Sequence, residues 1–146
     1  MAAKNYPVPT ENHGMTYVFV YATLFFVNAL VLYFAHLWFP TQVVMGTVSL
    51  SQLWATILVS SKLALIGILT MPFFTAWEIK RKEILTPLHW LAGYLLINVT
   101  SIWLLSRFSE VYGLGITSWV VALSLGFVLN LVQGFAMMGF NVSPNK

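Results

Sequence analysis

The 146-residue chain is 59% hydrophobic and only 8% charged, where soluble domains carry about 25% charged residues. That leaves too little charge to coat a water-facing surface, which excludes a soluble globular protein and makes a lipid bilayer the solvent. The net charge of +3 rests on seven Lys and Arg set mostly beside the apolar runs, so it reads as a topology signal and not as a nucleic-acid patch.

At about 20–25 residues per span plus short connections, the length accommodates four membrane helices in a single domain, residues 1–146. The expected fold is an all-α, four-span transmembrane helix bundle. The first fifteen residues are polar and include Pro7 and Pro9. They read as an aqueous or interfacial lead-in and not as a cleavable signal peptide. Span 1 is expected at residues 16–39, with Tyr17 and Tyr21 near one end, His36 and Trp38 near the other, and Pro40 as its stop. The connection PTQVVMGTVSL is uncharged and reads as a short loop or an interfacial dip. Span 2 is expected at residues 49–74, ended or kinked by Pro72. A short hydrophilic loop follows, carrying Glu78, Lys80, Arg81, Lys82 and Glu83. Span 3 is expected at residues 87–108, with Pro87 in its first turn, and span 4 at residues 116–140.

Four spans put the N-terminus, the middle loop and the C-terminus on one side, with Lys4, Lys80, Arg81, Lys82 and Lys146. The other side holds Arg107 beside Glu110. The positive-inside rule makes the first side cytoplasmic. The basic loop of Lys80, Arg81 and Lys82 reads first as a solvated topology determinant and second as an attractor of anionic lipid.

One polar residue stands near mid-depth in each span: Asn28, Lys62, Asn98 and Asn130. Ser60, Ser61, Thr100, Ser101 and Ser124 add hydroxyls nearby. Read structurally, this layer is interhelical glue, worth about 0.6–2 kcal/mol per bond. Read functionally, it is a hydrated ion, proton or headgroup site. Lys62 presses the question hardest, because a cation at mid-bilayer costs about 2.5–3.5 kcal/mol on insertion scales. Its nitrogen is expected to point into the bundle or a protomer interface, bonded to an amide, hydroxyl or carbonyl oxygen.

All four acids, Glu11, Glu78, Glu83 and Glu110, are terminal or in loops. The spans therefore lack carboxylates for a proton relay or a divalent-cation path. The three histidines do not cluster as metal ligands, and no Cys is present to help them. No nucleophilic elbow, P-loop or dinucleotide fingerprint occurs. No cofactor and no enzymatic activity are expected. Gly126 and Gly134 lie on roughly one side of span 4 and could admit a close neighbour helix.

The two halves are alike. FFVNALVLYFAHL in span 1 lies over YLLINVTSIWLLSRF in span 3, with Asn28 on Asn98 and Tyr33 on Trp103. The Gly-bearing connections MGTVSL and YGLGITS follow, each leading to a Trp-bearing span. Two-span units repeated in this way point the same way, about an axis along the membrane normal. VNALVLYFAHLWFP, MPFF, LINVTSIWLL and GITSWVVALSLGFVLNLV together resemble the small four-span, phage-holin-like family of bacterial membrane proteins over most of residues 20–135. Lys62 departs from that pattern. The resemblance implies a self-associating, homo-oligomeric protein of the bacterial inner membrane, with no catalytic set. The first functional expectation is a non-enzymatic holin-like or scaffold protein. The alternative is a small channel or transporter passing the Asn28–Lys62–Asn98–Asn130 layer.

Overall fold

The computed structural model describes residues 13–138. Lys4, Glu11, Lys146 and the last residues expected of span 4 lie outside them, as does the side chain of His13. Helix α1 runs His13–Trp38, strand β1 Val43–Met45, α2 Gln52–Arg81, α3 Pro87–Arg107, the short α4 Ser109–Tyr112, β2 Leu114–Ile116, and α5 Trp119–Met138. The four long helices are each long and apolar enough to cross a membrane, which makes the chain a multi-pass membrane protein of all-α architecture.

The helices form a ring in which α1 and α3 each pack against both α2 and α5. At 1.5 Å per residue, α1 is about 39 Å long, α2 about 45 Å, α3 about 31 Å and α5 about 30 Å. The excess in α2 corrects an expected boundary. Span 2 does not stop at Pro72 but runs through it to Arg81, so Lys80 and Arg81 form its last helical turn and only Lys82 lies beyond. Hydroxyls accompany the proline: Thr70 donates to the Ile66 carbonyl and Thr75 to the Met71 carbonyl. Neither bonds the Ile68 carbonyl, the one that the missing Pro72 N–H leaves free. Lys82 caps the helix in the left-handed region at φ 56. Glu78 then accepts the Leu85 N–H at 2.9 Å, folding the turn back onto α2. Thr86 caps α3 by accepting from the His89 N–H, with Pro87 at the first turn as expected.

Both Gly-bearing connections hold strands that the expected loops did not include. β1 pairs antiparallel with β2, matching Val43 to Ile116, Val44 to Gly115 and Met45 to Leu114. Val43, Met45 and Leu114 turn inward and close one end of the core with Leu32, Ala55, Val59, Ile102, Leu105 and Leu129. A strand pair this short escapes a pattern reading because three residues give barely one alternation. Its ladder continues through the Gly46 N–H to the Gly113 carbonyl at 2.7 Å.

The halves repeat in their burial. Ala55, Thr56, Val59, Ser60 and Leu63 are buried on α2 with the same spacing as Leu125, Gly126, Leu129, Asn130 and Gln133. The offset that relates them also carries Asn28 to Asn98 and Leu32 to Ile102, all buried. Equivalent strands pairing in opposite directions is what a two-fold axis along the bundle produces. Gly126 admits α3 closely, since a Cβ there would lie 3.0 Å from the Val99 nitrogen, whereas Gly134 has nothing within 4 Å.

Gly113 combines a close approach with a left-handed backbone. Its φ of 75 is left-handed, and a Cβ there would meet the Ala55 Cβ at 2.5 Å and Leu50 Cδ2 at 2.9 Å. Gly113→Ala is expected to cost about 2–4 kcal/mol, combining left-handed strain with overpacking. Gly134→Ala, in open space on a helix, should be neutral or stabilising by up to about 1 kcal/mol. Denaturant titration of both variants in mixed micelles checks the contrast.

Candidate functional site

Asn28 is wholly buried on α1, one turn from Leu24 on one side and one turn from Leu32 on the other. Its Oδ1 accepts a hydrogen bond from Gln133 Nε2 on α5 at 2.6 Å. Gln133 Oε1 in turn accepts from Asn98 Nδ2 on α3 at 2.9 Å. One side-chain amide thus joins three helices, and Asn28, Asn98 and Gln133 are all buried. The repeat brings Asn28 and Asn98 to equivalent places, and the bridge between them comes from a residue the depth count passed over. Gln133 stands three residues after Asn130, on the same helix face, so an amide pair at that spacing was the available signal.

Asn130 takes a separate role. It is buried, and its Nδ2 donates to the Leu91 carbonyl at 3.1 Å, a second tie between α5 and α3. Among the nearby hydroxyls, Ser61 pairs with Tyr21 at 2.6 Å across α1 and α2. Ser124 bonds the Val120 carbonyl of its own helix. Ser101 is buried and Thr100 is exposed. Asn28 Nδ2 and the Ser60 hydroxyl are buried without a hydrogen-bond partner among the described residues. They face the same seam. Leu24 and Ala64 pack in one cluster, and one turn onward along α1 and one turn back along α2 lie Asn28 and Ser60.

Lys62 does not join this group: of the two placements expected for its nitrogen, the bundle interior or a protomer interface, the first is corrected. Its side chain is exposed on the outside of α2. The inward face of that helix is taken by Val59, Ser60, Leu63 and Ala64, all buried. Lys62 falls on the opposite side of the helix turn from these four. No side chain or carbonyl among the described residues bonds its ammonium group. The polar layer of the protomer is therefore Asn28, Gln133 and Asn98, with Asn130 beside it and Lys62 outside.

The layer is sealed on both sides. Toward the strand pair lie Leu32, Val59, Leu63, Ile102 and Leu129. Toward the other end lie Val20, Leu24 and Ala64. These amides serve as donors and acceptors to one another and supply neither a nucleophile nor a base. Among the described residues no three of His, Cys, Asp and Glu gather as metal ligands. His36 bonds the Val43 carbonyl at 2.9 Å and His89 the Thr86 hydroxyl at 2.6 Å, both at helix ends.

The basic end of α2 is organised by an aromatic ring. Arg81 lies over Trp77 at 5.3 Å, and at the opposite membrane side Arg107 lies over Trp103 at 4.0 Å. Cation–π contacts of this kind hold cations at the interface. The expected loop of Lys80, Arg81 and Lys82 is thus mostly helical, and Phe73, Trp77, Lys80 and Arg81 line one open pocket. Comparison with protein-family models, curated proteins and solved structures finds no match.

Removing the bridge tests its energetic role. Gln133→Leu leaves the Asn28 and Asn98 amides unpaired in a sealed core and is expected to destabilise by about 1–3 kcal/mol. In a double-mutant cycle, Asn28→Leu with Gln133→Leu should show a coupling of about 0.6–2 kcal/mol. Additive losses would mean that the bond carries no net stability.

Proposed function

We propose that the chain is a non-enzymatic integral membrane protein, holin-like in plan, that works as a membrane scaffold by lateral association, including association with copies of itself. One observation carries this reading. The protomer's interior amides bond each other between two apolar clusters, so they line no continuous path. A conducting helix face needs polar groups along its length, and among the described residues the buried amides are flanked by apolar clusters. This disfavours the channel reading for a single protomer and leaves the outer surface as the working surface. That surface is apolar and aromatic, with Phe26, Trp38, Phe127 and Phe135 all more than half exposed.

Orientation follows from charge. The end bearing Lys80, Arg81 and Lys82 is cytoplasmic by the positive-inside rule, in a bacterial inner membrane by the holin-like resemblance. Lys80 and Arg81 beside Trp77 fit an interfacial contact with anionic lipid.

Purified protein in phosphatidylcholine vesicles should pass no steady ion current. Two populations carrying donor and acceptor dyes should show energy transfer that rises with protein-to-lipid ratio. Random transfer at every ratio would remove self-association, and steady single-protomer conductance would remove the sealed-core reading. Orientation is read separately. Cysteines replacing Lys80 and Glu110 should be labelled from opposite faces of the membrane, Lys80 from the cytoplasmic one, and labelling from one common face would rule out the four-span arrangement.

A further inference from the structure

Among the described residues, the lateral surface carries a charge that lipid does not satisfy. Lys62 is exposed on α2, ten residues into the helix from Gln52, or about 15 Å along its axis. That depth is about half of a 30 Å hydrocarbon core. Leu65, Leu69 and Phe73 continue the same stripe, at 45%, 60% and 61% exposure. Beside them, Ile66, Leu69, Thr70, Phe73 and Ile97 line a shallow furrow between α2 and α3 of about 270 Å³. The stripe is thus an exposed apolar helix face with a cation at one point and a side-chain recess next to it.

We infer that this face receives a transmembrane helix of a different membrane protein, one bearing an Asp or Glu at mid-depth that pairs with Lys62. The argument is by charge complementarity. A second copy of this chain brings no carboxylate to the level of Lys62: Glu78 stands near the far, basic end of α2, Glu83 and Glu110 lie outside the four long helices, and Glu11 precedes α1 in the sequence. Nor does it bring a free amide, since Asn28, Asn98, Asn130 and Gln133 are buried. It would instead set one Lys62 near another. A lipid phosphate lies at the interface, well beyond the reach of a four-carbon stem from mid-depth. An aqueous oligomeric pore would need polar neighbours along the stripe, which is leucine and phenylalanine. A partner carboxylate satisfies the ammonium group with one charge-assisted bond and leaves the apolar stripe to pack. This rests on the outer surface being the working surface, and it names the partner chemistry for one face of it.

The probe is a polyleucine transmembrane peptide carrying a single central Asp, compared with its all-Leu parent. Binding to the full chain is read by energy transfer in phosphatidylcholine vesicles. The Asp peptide should bind about tenfold more tightly, the scale of one intramembrane polar bond. Lys62→Met should erase that preference, and Lys62→Glu should transfer it to a peptide with a central Lys. Lys62 is exposed and makes no hydrogen bond among the described residues, so both variants should keep wild-type helicity. The wild-type comparison of the two peptides needs no variant at all. Equal binding of Asp and Leu peptides to the wild type would overturn the inference, as would an Asp preference that survives in Lys62→Met. If phosphatidylglycerol abolishes the preference, the anion is a lipid headgroup and the partner helix falls. Transfer between two labelled copies, measured in the same vesicles, reports self-association separately, so either proposal can fail alone.

Discussion

The Gln133 amide fixes how the bundle is assembled. It donates to Asn28 on α1 and accepts from Asn98 on α3. Its donor and acceptor sit on one rigid plane, so α5 meets both helices at a single height. A slip of one turn, about 5.4 Å, would break both bonds with no water to replace them. In lipid there is no hydrophobic drive to hold helix against helix, because acyl chains are as apolar as leucine. Close packing and polar bonds must carry the specificity. Here Gly126 against Val99 supplies the first and Gln133 the second.

The polar bridge is also where the duplicated frame stops being symmetric. Burial repeats between the halves, and the two strands pair as equivalents at one end. Yet the position on α2 that corresponds to Gln133 is Leu63, buried in the apolar cluster. The frame therefore needs only small and branched residues at its seams, and one half has added an amide that ties both halves together. Asn28 and Asn98 occupy matching sites but play different parts. One accepts from Gln133 and the other donates to it.

Much of the fold was legible because bilayer thickness is a hard ruler. Four apolar runs of sufficient length can only be four spans, and Pro87 or Pro40 then mark ends by local sterics. The repeat was legible through Asn28 and Asn98. What could not be read was direction around each helix axis. A span apolar on every side gives no periodic contrast, so the inward face of α2 was undetermined from sequence. Depth therefore marked the level of Lys62 but not its direction, and the structure turns it away from the bundle interior. The same blindness hid Gln133, which matters only because α5 turns it toward α1 and α3. Pro72 misled for a different reason: in lipid the rest of a helix has no better state to adopt, so α2 continues past it to Arg81.

The placement of the polar side chains gives the molecule its division of labour. Asn28, Asn98, Asn130 and Gln133 all make bonds inside the bundle, although an amide on the lipid face would cost less than a charge. Lys62, the costliest group to leave in hydrocarbon, is the one turned outward. The inward seam holds a buried amide and hydroxyl, Asn28 and Ser60, the latter two residues before Lys62 on α2. The structure turns Lys62 away from that seam, onto the exposed face of α2. The buried amides thus hold the bundle together from within, while Lys62, exposed on α2 and without a hydrogen-bond partner among the described residues, belongs to the outer surface.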